Sequence, residues 1–111
     1  MPQPLVEFLW WKGCPSWERA LADLRAVMAE SDLDPEAIEV KRIETDADVQ
    51  RESFFGSPTI RVDGQDVQSP AEGEPMGLAC RVYRRPDGSV SPLPDPDDVR
   101  TALRRAGQPA T

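Results

Sequence analysis

Apolar residues fill Leu5-Val6-Glu7-Phe8-Leu9-Trp10-Trp11 with a single interruption, the pattern of a strand covered on both faces. Lys12-Gly13 ends the run. From Pro15 the period changes: Trp17, Ala20, Leu21, Leu24, Val27 and Met28 recur at three and four residues, with Glu18, Arg19, Asp23 and Arg25 on the opposite side. This spacing predicts an amphipathic helix ending near Glu30. Pro15 suits its first position, where the missing N–H would have no partner, and Cys14 then becomes its N-cap.

After a loop from Ser31 to Pro35, Ile38, Val40 and Ile43 mark a second strand. Thr45-Asp46-Ala47-Asp48 reads as a capping box opening a short helix toward Phe54, and Gly56-Ser57-Pro58 breaks it. Thr59-Ile60-Arg61-Val62 predicts a third strand closed by the turn pair Asp63-Gly64. Gln65 to Gly77 has no apolar period and reads as a long connection. Leu78-Ala79-Cys80-Arg81-Val82-Tyr83 predicts the fourth strand, and Pro86-Asp87-Gly88 a turn. Asp95 then caps a last helix with Pro96 at its first position, running to Ala106 and closed by Gly107. A strand-helix-strand start requires a parallel pair with a right-handed crossover, and the strand after Asp63-Gly64 adds antiparallel. The expectation is α/β: a four-stranded mixed sheet flanked by helices on both faces.

Composition narrows the function. A chain of 111 residues suits one domain, here spanning 1–111 with its core from about residue 5 to 106. The net charge of -7 opposes attraction to phosphate backbones and anionic lipid, so neither nucleic acid nor a membrane is an expected partner. With no histidine, the chain holds no Ser-His-Asp or Cys-His unit and no His-ligated zinc or haem site. Cys14 and Cys80 remain as the soft nucleophiles or ligands, so the expected chemistry is sulfur chemistry without a cofactor or a bound metal. Met1-Pro2-Gln3-Pro4 has no basic run, and the apolar stretch after it is short and contains Glu7. It reads as neither a signal peptide nor a membrane span, so a reducing cytoplasm is the expected compartment.

Cys14 falls between a parallel strand and a helix, where α/β sheets generally carry their sites. N–H groups of the first helical turn there favour the nucleophilic thiolate form. Val6-Glu7-Phe8, the Trp-rich strand end, Gly13-Cys14-Pro15 and the later Gly56-Ser57-Pro58-Thr59-Ile60 together resemble the thioredoxin and glutaredoxin superfamily. The resemblance implies a thioredoxin-like fold and a cis Ser57-Pro58 bond beside Cys14. By the same resemblance the Ser57-Pro58 backbone would bind the extended main chain of a thiol substrate, with Pro15, Trp17 and Thr59 as further substrate-binding residues. Trp17 stands where a glutaredoxin-like Cys-Pro-x-Cys has its second cysteine, so the usual resolving thiol is absent. A narrower likeness, over Gly56 to Gly64 and Gly77 to Tyr83, is to small thioredoxin-like proteins sometimes labelled alkylmercury lyase-like. It implies soft-metal or organomercurial chemistry at two thiols.

Each candidate has a plainer reading. Cys80 is either a buried strand residue or the second, resolving thiol. Glu7 is either an edge glutamate or, by resemblance, an acid beneath the site that relays a proton to sulfur. Trp10, Trp11 and Trp17 are core or the walls of a groove. The reading that follows is a thiol-dependent redox or transfer protein acting through Cys14, with Cys80 or an external thiol completing the reaction. Its partner is a thiol or disulfide, small or carried on a protein. The alternative is a non-enzymatic module of the same fold that binds a protein or a soft metal.

Overall fold

A computed structural model describes residues 3–106. The cap expected at Gly107 lies outside them. Strand β1 (Val6–Trp10) leads into helix α1 (Trp17–Glu30), strand β2 (Ile38–Arg42) and helix α2 (Asp46–Glu52). Strands β3 (Thr59–Val62), β4 (Gln65–Asp66), β5 (Tyr83–Arg84) and β6 (Val90–Ser91) precede helix α3 (Pro96–Ala106). The fold is α/β with a four-stranded mixed sheet in the order β2-β1-β3-β4. β1 pairs parallel with β2 and antiparallel with β3.

Two apolar clusters hold the elements together. Val6 and Phe8 of β1 meet Ile60 and Val62 of β3, Leu24 and Met28 of α1, and Val99 and Leu103 of α3. Leu9, whose side chain alternates away from Phe8, joins Ile43, Val49 and Phe54 in the second cluster. Fully burying each side chain of this size contributes roughly 1.5–3 kcal/mol.

Local signals fixed the helix ends. Thr45 and Asp48 form the expected capping box, each side chain accepting from the other's backbone N–H. Asp95 accepts from the Asp97 N–H at 3.0 Å at the start of α3. Asp32, at φ 59°, closes α1 as the Leu33 N–H returns to the Met28 carbonyl at 2.9 Å, a Schellman ending.

The structure corrects two expectations. The fourth strand of the sheet is Gln65–Asp66, not Leu78 to Tyr83. Asp63 and Gly64 have φ of 51° and 83°, so the turn is of the tight primed type and the chain pairs back onto β3 at once. Of the run from Leu78 to Tyr83, Cys80 makes only an isolated parallel bridge to Ser57, and Tyr83 starts a separate hairpin, β5 with β6.

The second correction concerns Cys14, which is not the cap of α1. Its N–H donates to the Trp11 carbonyl at 3.1 Å, closing a turn, and Pro15 and Ser16 extend that turn. Ser16 is the N-cap, and its carbonyl accepts from Ala20 at 3.0 Å. The sulfur therefore sits in the β1–α1 turn rather than at the first turn of the helix.

Candidate functional site

Both cysteines are free thiols, and the fold brings them to either side of Ser57. Cys14 arrives on the turn that follows β1, and its Sγ donates to the Ser57 carbonyl at 3.3 Å. Cys80 arrives on the segment before β5. The Ser57 N–H donates to the Ala79 carbonyl at 2.8 Å, and the Arg81 N–H donates to the Ser57 carbonyl at 2.8 Å. Cys80 is thereby held near Cys14. The Ser57 hydroxyl accepts from the Trp11 N–H at 3.0 Å, tying down the turn that carries Cys14. The bond between Ser57 and Pro58 is cis, as the resemblance implies.

The sulfurs differ in access. Cys14 is 0% exposed, whereas Cys80 faces solvent. This reverses the plainer reading of Cys80 as a buried strand residue, because the strand that would have buried it does not form.

The segment bearing Cys80 is anchored through Gly56 and Thr59 of the motif and through Arg81, Asp66 and Tyr83, which were not among the expected site residues. Gly56 has φ +125°, and a Cβ there would meet Arg81 Cα and N at 3.1 Å, so only glycine lets this backbone approach. Arg81 is buried; its guanidinium donates to Asp66 at 2.6 Å, to the Thr59 hydroxyl at 3.2 Å and to the Gln68 carbonyl. Burial pushes the Tyr83 phenol up from its ordinary value, keeping it protonated as the donor to the Pro58 carbonyl. A charged residue inside an apolar run was the available signal for Arg81, since a buried guanidinium demands a partner.

The Cys80 thiol is pushed up from its usual range, first by side-chain hydrogen bonding with Cys14, then by burial, then by charge on Cys14. A Cys14→Ala substitution removes the first and third causes. The pH midpoint of Cys80 alkylation is therefore expected to fall toward the ordinary value of about 8.5. Peptide-resolved iodoacetamide labelling of the two proteins across neutral and alkaline pH measures the change. An unchanged midpoint would assign the shift to burial alone.

The other expected site residues divide. Pro15 is exposed beside Cys14, and Pro58 is buried beneath Ser57. The Thr59 hydroxyl turns inward, donating to the Gly56 carbonyl at 2.7 Å, so it braces the loop. Trp17 stacks on Trp10 with ring centroids 4.0 Å apart and packs against the first cluster. The Arg42 guanidinium lies 5.5 Å from the Trp10 ring centroid. Glu7 is buried and paired with Lys41 at 2.7 Å, and this carboxylate is the main cause of the raised Lys41 value. The Glu7 carboxylate thus pairs with Lys41, whereas the Cys14 sulfur donates to the Ser57 carbonyl.

No family model, curated protein or solved structure matches the chain. Function therefore has to be argued from the thiols themselves. Among the described residues, no group of three or more His, Cys, Asp or Glu side chains is placed to hold a metal ion. No helix among them is long and apolar enough to cross a membrane. The Ser57 backbone, expected to take up a substrate main chain, pairs with the chain's own Ala79 and Arg81 instead. What the arrangement offers chemically is two adjacent thiols, one open to solvent and one enclosed.

Proposed function

We propose that this protein is a cytoplasmic thiol–disulfide exchange protein of thioredoxin-like architecture, in which Cys14 and Cys80 cycle between two thiols and one disulfide. The observation that carries the reading is that Ser57 holds both cysteines near one another, its carbonyl accepting from Cys14 Sγ at 3.3 Å and its backbone bridging to Cys80. Two thiols so held can pass two electrons to a disulfide substrate and close on one another, with no cofactor. The architecture is supported by the parallel β1–α1–β2 start and the antiparallel return of β3. It is supported further by α1 and α3 packing on the Phe8 side of β1 while Val49 of α2 joins Leu9. That alternation supports helices on both faces of the sheet.

Reduced protein mixed with hydroxyethyl disulfide is expected to release two thiols per chain as its own two thiols are lost. Failure to release thiol above the rate of a denatured control would remove the reading. The same proximity favours a second use, capture of a soft ion such as Hg(II) or Cu(I) between two thiolates. One-to-one Hg(II) binding that requires both cysteines, without thiol release from hydroxyethyl disulfide, would select it.

A further inference from the structure

Resting on that reading, we infer that Cys80 is the sulfur that meets the external disulfide and Cys14 is the enclosed sulfur that completes the exchange, the reverse of the order expected from the sequence. Cys14 is 0% exposed, its Sγ turned onto the Ser57 carbonyl, so a disulfide in solution has no line of attack onto it. Cys80 is exposed, as is Ala79 before it. Its backbone is fixed from both sides by Ser57, through Ala79 and Arg81, so it is an accessible sulfur on a held segment. Thiol–disulfide exchange depends on access as well as on thiolate content, and access here separates the two sulfurs completely.

The reaction then runs in two steps. Cys80, having given up its proton, attacks one sulfur of the disulfide; the substrate S–S bond breaks, and the first thiolate leaves and takes up a proton. Cys14, having given up its proton, attacks Cys80 Sγ; the mixed disulfide breaks, and the second thiolate leaves and takes up a proton. Two electrons pass from the cysteine pair to the substrate, which becomes two thiols. Because the Ser57 main chain is already paired with Ala79 and Arg81, the substrate is recognised at the exposed sulfur and not by pairing along that backbone.

The test uses the full-length reduced chain with glutathione disulfide, followed by intact-mass and peptide analysis. Cys14→Ser is expected to stop with one glutathione on Cys80 and one thiol released per chain. Cys80→Ser is expected to remain unmodified over the time in which Cys14→Ser is complete. A stable adduct on Cys14 in Cys80→Ser, with none on Cys80 in Cys14→Ser, would overturn the order while leaving the pair intact. No adduct in either variant, with no thiol released by wild type, would overturn the paired reading as well. Native wild-type protein guards against misfolded variants: iodoacetamide is expected to modify Cys80 at least about tenfold faster than Cys14, because a buried thiol reacts only through local opening. Equal rates, or Cys14 first, would overturn the order.

Discussion

Asp66→Ala is expected to lower folding stability by about 3 kcal/mol, because it leaves the Arg81 guanidinium enclosed without its counter-charge. Arg81 is 2% exposed and Asp66 14%, and they meet at 2.6 Å. The residual exposure of Asp66 puts the loss at the lower end for a broken buried pair. The damage also reaches the site. Asp66 lies on β4 and Arg81 next to Cys80, so the ion pair fastens the Cys80 segment to the sheet. Urea denaturation gives the stability, and the yield of the Cys14–Cys80 disulfide in a fixed glutathione buffer gives the coupling. Both are expected to fall. The double change Asp66→Leu with Arg81→Met is expected to recover most of the stability, since it leaves no charge unpaired. A loss below about 1 kcal/mol in Asp66→Ala would mean that the pair behaves as a solvent-screened surface bridge.

Gly56→Ala acts on the same segment through the backbone. At φ +125° an alanine is strained by about 1–3 kcal/mol, and its methyl would press on Arg81 Cα and N and on the Ala79 carbonyl at 3.3 Å. Those atoms frame Cys80, so relief of the clash moves Cys80 away from Cys14. The expected result is a destabilised protein whose disulfide forms more slowly at matched temperature below its unfolding transition. Gly64→Ala is the control: φ is +83°, but nothing lies within 4 Å of the added methyl, so it is expected to cost about 1–2 kcal/mol and leave disulfide formation unchanged. If both variants form the disulfide at the wild-type rate, Gly56 does not position the site.

The residues that were legible from sequence were those whose partners lie close in the chain. Thr45 and Asp48 cap one another three residues apart, and Asp63-Gly64 supplies from its own two residues the positive φ values that its turn needs. The period of α1 places Leu24, Val27 and Met28 on one buried face. The misread positions depend on partners far along the chain. Gln65 and Asp66 are too few and too polar to suggest a strand, yet β3 lies ready to pair with them. Leu78 to Tyr83 looks like a strand by composition, but Arg81 turns in to Asp66 and Val82 is left 50% exposed.

The site itself was half legible. Cys14 and Ser57-Pro58 were marked by their neighbours, and the structure sets them together at 3.3 Å. Pro15 fits a first helical position and a turn equally well. What decides between them is the bond from Cys14 to Trp11, with the Trp11 ring folded over Gly13 so closely that a Cβ there would sit 2.3 Å from it. Cys80 carried no local mark of its exposure. That follows from the Ser57 bridge and the Arg81 anchor, both contacts between distant parts of the chain.

The most direct test of the central claim is to equilibrate the intact protein in a series of glutathione redox buffers, quench with acid and alkylate. Peptide mass mapping then gives the fraction linked between Cys14 and Cys80. The account predicts one intramolecular disulfide that rises and falls reversibly with the buffer as a two-electron couple, with little glutathione left on either cysteine. Cysteines that stay separately alkylated or separately glutathionylated across the whole series would contradict it.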